Sequence, residues 1–289
     1  MPDTLRRSRS NGGGQDTDGA VWAAVSGTTI GEAWLRREEP RSPELIARYR
    51  DAMAHLERGV PFAYAVGRVG FRTLDLAIDS RALIPRPETE GLVDLVLRET
   101  GKRETGNGKR DLVADIGTGC GCIALALAVE GRFEKVVAVE QSPAAAALAR
   151  ENVARIAPAT PVEVRDGNLL APLANDGRRF RVIVANPPYL TATEYAELDP
   201  SVREYEPRAA LVSGADGLDA TRALFAGAAA LLEPGGILAL EIDERRAAAV
   251  CALGQGSGWN VAIHADLFGR PRYALATSGH GPGAHTSED

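Results

Sequence analysis

The residues best suited to chemistry lie in one short segment, Asn186-Pro187-Pro188-Tyr189, directly after the largely apolar run of residues 180–185. That run predicts a buried strand, and two prolines cannot continue its hydrogen-bond ladder. The strand therefore ends with a carboxamide, a rigid turn and an aromatic ring. Asn186 Oδ1 and the Pro187 carbonyl are two acceptors that, with the Tyr189 ring, could hold a planar –NH2 group. The alternative is a proline-rich turn without chemistry.

A second candidate site is the glycine-rich loop of residues 115–121, Asp-Ile-Gly-Thr-Gly-Cys-Gly, between a predicted strand and a helix. Glycines let the backbone turn tightly and approach a ligand. Glu140 ends the next predicted strand, about 20 residues farther on, and could accept both hydroxyls of a ribose. The Gly-x-Gly-x-Gly spacing differs from that of dinucleotide sites, which favours a cofactor without a pyrophosphate. Asp115 either holds an amine-bearing tail of that cofactor or caps the turn.

A third segment, Leu83-Ile84-Pro85-Arg86-Pro87-Glu88-Thr89-Glu90, precedes the glycine loop. Its prolines favour an extended backbone, and a helix is predicted over residues 88–100. Two interpretations stay open: the segment is a lip over a site, or it is a stiff linker.

From residue 111 onward strands and helices alternate, which predicts a parallel sheet with helices on both faces. The predicted strands are residues 112–116, 136–140, 162–165, 180–185, 237–242, 260–264 and 273–277. The predicted helices are residues 122–129, 144–156, 218–232 and 244–253. The fold class is therefore α/β, with a Rossmann-like seven-stranded sheet whose last strand is antiparallel.

The part of the chain before this sheet reads differently. Its pattern is helical from residue 21 to about residue 66, and residues 71–78 alternate like a strand of a hairpin. The predicted organisation is a disordered tail (1–18), a small N-terminal helical domain (19–66), a β-hairpin and linker (67–90), the sheet domain (91–278) and a second disordered tail (279–289). The helical domain is either core packing or a docking surface for a partner.

Composition narrows the classes of function. The 289-residue chain has a formal net charge of −6, which argues against a nucleic-acid partner. Three cysteines do not form a disulfide framework, and Cys120 and Cys122 are too few for a zinc site, so we expect no metal. Without an apolar run of membrane-spanning length or a secretory signal, we expect a cytoplasmic protein that does not bind membranes.

The motifs together resemble a known family. The loop of residues 115–121, Glu140 and the turn of residues 186–189 are similar to those of class I S-adenosylmethionine-dependent methyltransferases that modify a planar nitrogen. Within that class the chain resembles the release-factor glutamine N(5)-methyltransferases, the HemK/PrmC family, over residues 34–278. The segments that carry this narrower resemblance are Gly59-Val60-Pro61-Phe62-Ala63-Tyr64 with Gly67, the segment of residues 83–90, Tyr205-Glu206-Pro207 with Ala210-Leu211, and Asp216-Gly217-Leu218.

The resemblance implies an activity and a set of site residues. A methyl group would pass from S-adenosylmethionine to the side-chain amide nitrogen of the glutamine in the Gly-Gly-Gln loop of peptide-chain release factors, the implied partner. The implied catalytic residues are Asn186, Pro187 and Tyr189. The implied substrate contacts are Asn186, Pro187, Pro188, Tyr189, Arg86, Glu88 and Thr89. The implied cofactor contacts are Asp115, Gly117, Thr118, Gly119, Gly121, Glu140, Asn168 and Asn186.

The chain departs from the family pattern at three places. Glu140 stands where the family usually has aspartate. Asn168 stands where an acid usually meets the adenine amino group, and Asp166 is a nearby alternative. The helical domain is unusual before Trp34.

Three other functions compete with this one. They are methylation of a ribosomal-protein glutamine, methylation of adenine N6 or cytosine N4 in DNA, and a catalytically silent scaffold. The sequence shows no separate target-recognition domain and no basic stripe, which argues against DNA. Intact Asp115, Glu140 and Asn186 argue against the scaffold.

Overall fold

The computed structural model describes residues 17–101, 111–174 and 177–278. Residues 1–16 and 279–289 of the two predicted tails lie outside the described residues. Thr17 and Asp18, which the sequence analysis assigned to the first tail, instead begin a helix. Asp18 lies in its first turn, where a carboxylate is favourable, and accepts a hydrogen bond from the Tyr49 hydroxyl. None of the helices in the three described ranges is long and apolar enough to cross a bilayer.

The chain forms two compact units, the first ending at Val66 and the second beginning at Gly67. The first unit contains α1 (Thr17–Ser26), α2 (Ile30–Leu35), α3 (Pro43–Glu57) and α4 (Phe62–Val66). The Ser42 side chain caps α3, and Pro43 occupies its first position, where a missing N–H costs nothing. The core of this unit is made of Val21, Val25, Ala52 and Val66.

The second unit opens with a hairpin, β1 (Arg68–Phe71) and β2 (Leu74–Ala77). The predicted hairpin is present, but the strand predicted over residues 71–78 includes its turn as well as β2, because Phe71 pairs with Leu74 across a two-residue turn. The apolar side chains of Phe71 and Leu74, at the two ends of the turn, are both buried. The apolar pattern therefore continues across the turn and gives no sign of it. Arg72, at φ 53°, forms the turn and is held by Glu90 and Glu130.

The core of the second unit is one seven-stranded sheet. Its strands are β3 (Asp111–Ile116), β4 (Phe133–Glu140), β5 (Val162–Asp166), β6 (Phe180–Ala185), β7 (Leu232–Glu241), β8 (Trp259–Ala265) and β9 (Pro271–Ser278). The spatial order is β5-β4-β3-β6-β7-β9-β8, and β9 runs antiparallel to both neighbours. The predicted α/β class and the antiparallel last strand are confirmed.

Helices connect and cover these strands. They are α5 (Pro87–Gly101), α6 (Cys122–Glu130), α7 (Pro143–Ile156), α8 (Ala192–Ala196), α9 (Pro200–Tyr205), α10 (Asp219–Ala228) and α11 (Ala247–Gly256), with short 3-10 turns at Ala171–Leu173, Arg208–Ala210 and Glu244–Arg246. The helix predicted over residues 218–232 ends four residues early. The Leu231 carbonyl accepts the Phe180 N–H, and Leu232 pairs with Phe180. These two residues therefore bond to the sheet instead of extending the helix.

The register of the parallel strands places the candidate segments at one edge. Ile116 lies between Val139 and Ala185, and Ala185 lies beside Leu240. The segments that follow Ile116, Val139, Ala185 and Leu240 therefore lie together at the carboxyl edge of the sheet. The chain order reverses between β3 and β6, and ligands of open α/β sheets bind at such a switch point.

Candidate functional site

A cavity of about 450 Å³ opens at this edge of the sheet. Of the residues predicted from sequence, its walls contain Arg86, Thr89, Gly117, Thr118, Gly119, Glu140, Asn168, Asn186, Pro187 and Pro188. Four other predicted residues do not line it: Glu88, Asp115, Gly121 and Tyr189. The glycine loop and the proline turn, far apart in the chain, thus share one cavity.

The glycine loop presents its backbone to the cavity. Gly117 and Gly119 have φ of 73° and 57°, a region that side chains rarely adopt. The Gly117 and Thr118 N–H groups both donate to the Val139 carbonyl, at 2.9 and 3.0 Å. Gly121, by contrast, packs against α7, since a Cβ there would lie 3.6 Å from the Ala149 Cβ.

Asp115 does not face the cavity, which corrects its predicted contact with a cofactor. The side chain is fully buried, and its Oδ2 accepts from Thr118 Oγ1 at 2.5 Å and from the Ala124 N–H at 3.1 Å. Burial raises the pKa of Asp115 to about 7, against the opposing effect of these two hydrogen bonds, and the Glu140 carboxylate adds to the rise. Of the two interpretations, the geometry favours the capping acid.

Glu140 forms part of the cavity wall at the end of β4. Its Oε2 accepts the Gly119 N–H and its Oε1 accepts the Ser142 N–H, both at 2.9 Å. The carboxylate is therefore fixed between the loop and the start of α7. Each carboxylate oxygen has a further lone pair, so Glu140 can still accept from two hydroxyls of a ligand.

The loop after β5 favours Asn168 over Asp166 as a ligand contact. Asn168 lines the cavity, whereas Asp166 is exposed and forms an ion pair with Arg150. The Gly167 N–H donates to the Glu140 carbonyl at 2.8 Å and ties this loop to β4. Asn168 is thus the residue available to a bound molecule.

The proline turn is held from the far side by the segment after α9. The Tyr189 and Leu190 N–H groups donate to the Leu211 carbonyl at 3.2 and 2.8 Å. Gly217 lies against the turn so closely that a Cβ there would be 2.3 Å from the Tyr189 carbonyl oxygen. Tyr189 itself is half-buried, and burial, with the Glu241 carboxylate second, raises its pKa to about 12.

The Asn186 side chain is held by two buried residues. Its Nδ2 donates to Thr89 Oγ1 at 3.1 Å, and the Thr89 hydroxyl donates to Glu241 Oε2 at 2.7 Å. Thr89 and Glu241 are each 2% exposed. The sequence analysis missed Glu241. It is an acid that ends a buried strand at the carboxyl edge, the same signal that identifies Glu140.

The segment before α5 lies along the cavity, which favours the lip over the linker. Arg86 Nη2 donates to Glu206 Oε1 at 2.6 Å, and the Ile84 N–H donates to Glu206 Oε2 at 3.2 Å. The Glu206 side chain is only 1% exposed. Glu88 lies outside the cavity, and its carbonyl accepts from the Tyr273 hydroxyl at 2.6 Å, so it fixes the start of α5 instead.

Comparison with known proteins identifies the family. The family model described as Methyltransferase small domain matches residues 96–198. A protein of Deinococcus radiodurans named release factor glutamine methyltransferase is 41% identical over 242 residues, which cover 84% of this chain and 83% of that protein. A protein of the same name from Geobacter sulfurreducens is 37% identical and covers 84% and 82%. The chain belongs to the release factor glutamine methyltransferase family. It is therefore an enzyme of the methyltransferase class.

Solved structures agree on the fold of this methyltransferase. A methyltransferase from Pyrococcus furiosus superposes with a TM-score of 0.51 at 21% identity, covering 82% of this chain and 99% of that one. The N-terminal domain of human METTL16, solved in complex with SAH, gives 0.54 at 17% identity and covers 82% and 83%. These identities are low and bear on the fold alone.

The charges around the cavity fit the cofactor that a methyltransferase implies, S-adenosylmethionine. Both arginines in its walls are already paired, Arg81 with Asp79 and Glu151, and Arg86 with Glu206. Among the wall residues that the structure describes, no unpaired arginine is presented to a phosphate, while the Glu140 carboxylate suits ribose hydroxyls and a cationic ligand.

The cysteines of the glycine loop do not add a reactive group. A hydrogen bond to Cys120, together with burial, raises the pKa of the Cys122 thiol well above its ordinary value. Cys122 is therefore a protonated thiol in the cavity wall. In the parts of the chain that the structure describes, no cluster of three or more possible metal ligands occurs.

Proposed function

We propose that this methyltransferase transfers a methyl group from S-adenosylmethionine to the side-chain amide nitrogen of the glutamine in the Gly-Gly-Gln loop of peptide-chain release factors. One observation carries the proposal: Asn186 and Pro187 line the same cavity as the glycine loop and Glu140. Residues suited to binding an amide thus lie beside residues suited to binding a nucleoside. The names of the relatives support the release factor as the acceptor.

The cofactor side of the cavity holds the nucleoside. Glu140 accepts from both ribose hydroxyls, and the Asn168 carbonyl oxygen accepts from the adenine amino group. The loop backbone at Gly117 and Gly119 could approach the ligand closely because neither residue has a side chain. When bound, S-adenosylmethionine supplies a methyl group that its sulfonium already makes electrophilic, so no nucleophilic side chain is required.

The substrate side of the cavity orients the glutamine. Asn186 Oδ1 and the Pro187 carbonyl accept its two amide N–H bonds, while Tyr189, outside the cavity walls, belongs to the turn that carries them. Holding the nitrogen in line with the methyl carbon removes part of the entropic barrier. The two acceptors also stabilise the positive charge that develops on nitrogen in the transition state. As the nitrogen–methyl bond formed, the carbon–sulfur bond would break with its electron pair staying on sulfur, and the nitrogen would lose one proton to water.

Mass spectrometry of a release factor incubated with the enzyme and S-adenosylmethionine tests this function. We expect a gain of one methyl group on the loop glutamine. Parallel incubations contain ribosomal proteins or DNA, and a release factor with the loop glutamine replaced by asparagine is the control. Methylation of a ribosomal protein or of DNA, with an unmodified release factor, would contradict the proposal.

We also propose that the helical unit docks the release factor. Several of its large apolar side chains are exposed: Ile30 (54%), Trp34 (60%), Leu35 (72%) and Phe62 (42%). Such a set is typical of interaction sites. Leu35→Ser is expected to raise the KM for an intact release factor but not for a short Gly-Gly-Gln peptide. Val129→Ser, at a 45% exposed position of the other unit, is the matched control. An unchanged KM for the intact factor would contradict docking here.

A further inference from the structure

Asn186, Thr89 and Glu241 form a chain of hydrogen bonds that leads from the cavity into the sheet. The two distances are 3.1 Å from Asn186 Nδ2 to Thr89 Oγ1 and 2.7 Å from Thr89 Oγ1 to Glu241 Oε2. Thr89 is the third residue of α5, and Glu241 is the last residue of β7. Thr89 lines the cavity beside Asn186, whereas Glu241 does not line it, so the chain leads from the cavity wall to a buried carboxylate.

The protons available in this chain fix the direction of every bond. A hydroxyl has one proton, and an ionised carboxylate can only accept. Thr89 therefore gives its proton to Glu241, and its oxygen can only accept from Asn186. The Asn186 amide must turn its –NH2 group toward Thr89 and its Oδ1 away. Within the described part of the chain, no residue donates to that Oδ1.

We propose that Thr89 and Glu241 are positioning residues that decide which end of the Asn186 amide meets the substrate. In the observed direction Oδ1 is presented, and it can accept from the substrate –NH2 group. In the flipped direction two –NH2 groups would oppose each other, donor against donor. The inference rests on the proposed role of Asn186 and adds the two residues that keep its amide in the orientation that can bind the substrate.

The direction of the chain depends on the charge of Glu241. A protonated Glu241 can donate to Thr89, which is then free to donate to Asn186 Oδ1, and this turns the –NH2 group toward the substrate. Glu241 thus makes the orientation sensitive to pH. Methyl transfer is expected to increase as Glu241 loses its proton.

The surroundings of Glu241 bring this proton loss near neutral pH. Burial raises the pKa of Glu241 to about 7, and the Thr89 hydrogen bond opposes the rise. The charged groups that also act on it are Arg272 and Arg86, which lower the pKa, and Glu88, which raises it. The tyrosines nearby are Tyr189 and Tyr273, whose own pKa values of about 12 keep them neutral.

Variants of Thr89 separate a positioning role from a packing role. Thr89→Val keeps the shape and removes the hydroxyl, and we expect kcat to fall about tenfold or more while cofactor affinity is unchanged. Thr89→Ser keeps the hydroxyl and is expected to stay near the wild-type kcat. The matched control is Thr100→Val on the same helix, because the Thr100 hydroxyl bonds to the Val96 and Leu97 carbonyls of its own helix.

A double variant and a pH profile test whether the effect passes through Asn186. Thr89→Val is expected to add no loss to that of Asn186→Ala, since the proposed role of Thr89 passes through that side chain. Glu241→Gln is expected to lower kcat and to flatten the part of the kcat–pH profile near pH 7. Additive losses in the double variant would overturn the proposal. If Thr89→Val does not fold, the kcat–pH profile of Glu241→Gln tests the proposal on its own.

A readout without methyl transfer keeps this inference separate from the proposed function. In protein labelled with ¹⁵N-asparagine, the Asn186 side-chain –NH2 signal is assigned by its loss in Asn186→Asp. We expect this signal to shift in Thr89→Val, and to shift on acidification through pH 7 in the wild type but not in Glu241→Gln. An unshifted signal in Thr89→Val overturns the positioning role. A wild type that leaves release factors unmodified overturns only the proposed substrate.

Discussion

The two loops that line the cavity are held in place by different means. The glycine loop after β3 is fixed mainly by neighbours in the same β-α-β unit: Asp115 caps it from within, and Glu140 binds the Gly119 N–H from the next strand. The proline turn after β6 is fixed by distant parts of the chain. Thr89 lies 97 residues before Asn186, and the Leu211 carbonyl binds the turn from the other side.

This difference implies that cofactor binding and methyl transfer depend on different parts of the chain. A loop built by two adjacent strands and one helix can hold its shape when distant contacts are disturbed. A turn supported by α5, β7 and the segment after α9 needs the whole sheet to be assembled. We therefore expect cofactor binding to tolerate changes that stop methyl transfer, and each variant below tests one side of that expectation.

The largest effect is expected for Asn186→Ala, which removes the acceptor at the end of β6. Loss of one preorganised partner of the reacting group typically costs about 100- to 1,000-fold in turnover. The dissociation constant for S-adenosylhomocysteine should change little, because the other loop holds the cofactor. Turnover by mass spectrometry and affinity by calorimetry measure the two quantities.

Asn260→Ala is the matched control for this variant, since Asn260 is exposed on β8. Its turnover and melting temperature should equal those of the wild type. If Asn186→Ala keeps near-normal turnover, Asn186 is only a turn residue. If it loses cofactor affinity as well, the two loops are not independent.

The same distinction explains what the sequence could and could not predict. The strand at residues 180–185 was predicted with its observed bounds because a strand covered on both faces reads as a nearly continuous apolar run. The glycine loop and Glu140 could be predicted because their partners lie within one β-α-β unit. The support of Asn186 could not, because no local pattern connects Thr89 with Glu241, 152 residues apart.

Glu140→Ala tests the cofactor side. The change removes a charged acceptor of two hydroxyl hydrogen bonds, and we expect binding to weaken by roughly 1–3 kcal/mol. S-adenosylmethionine and S-adenosylhomocysteine should be affected alike, since they share the ribose. Glu163→Ala is the control, because Glu163 lies on the adjacent strand and pairs with Lys135 and Arg165 outside the cavity walls. Unchanged affinity for both ligands would show that Glu140 does not reach the ribose.

Asn152→Ala tests how local the glycine loop is. Asn152 is fully buried in α7, and its side chain bonds the Ala77 N–H, the Ala77 carbonyl and the Cys120 carbonyl at 2.8 to 2.9 Å. Unpartnered groups left behind should lower the free energy of unfolding by about 1–3 kcal/mol. Cofactor affinity should stay near that of the wild type, because Glu140 still holds Gly119. A parallel loss of affinity would mean that the loop also depends on distant support.

The last expected effect, that of Asp115→Asn, concerns the pH dependence of stability. The folded-state pKa of Asp115, about 7, lies above the ordinary value of 3.8 for an aspartate, so the folded protein binds the proton more tightly than the unfolded chain. The stability that Asp115 contributes is complete below pH 4 and is lost as the pH rises to 7. Asparagine cannot titrate, so this slope, at most about 1.4 kcal/mol per pH unit, should disappear. Burying an unpaired –NH2 group adds a cost that does not vary with pH, so the slope can still be measured.

Urea unfolding of both proteins at several pH values between 4 and 8 measures the difference. Parallel stability curves for the two proteins would mean that Asp115 titrates normally and that the glycine loop is not closed over a buried acid.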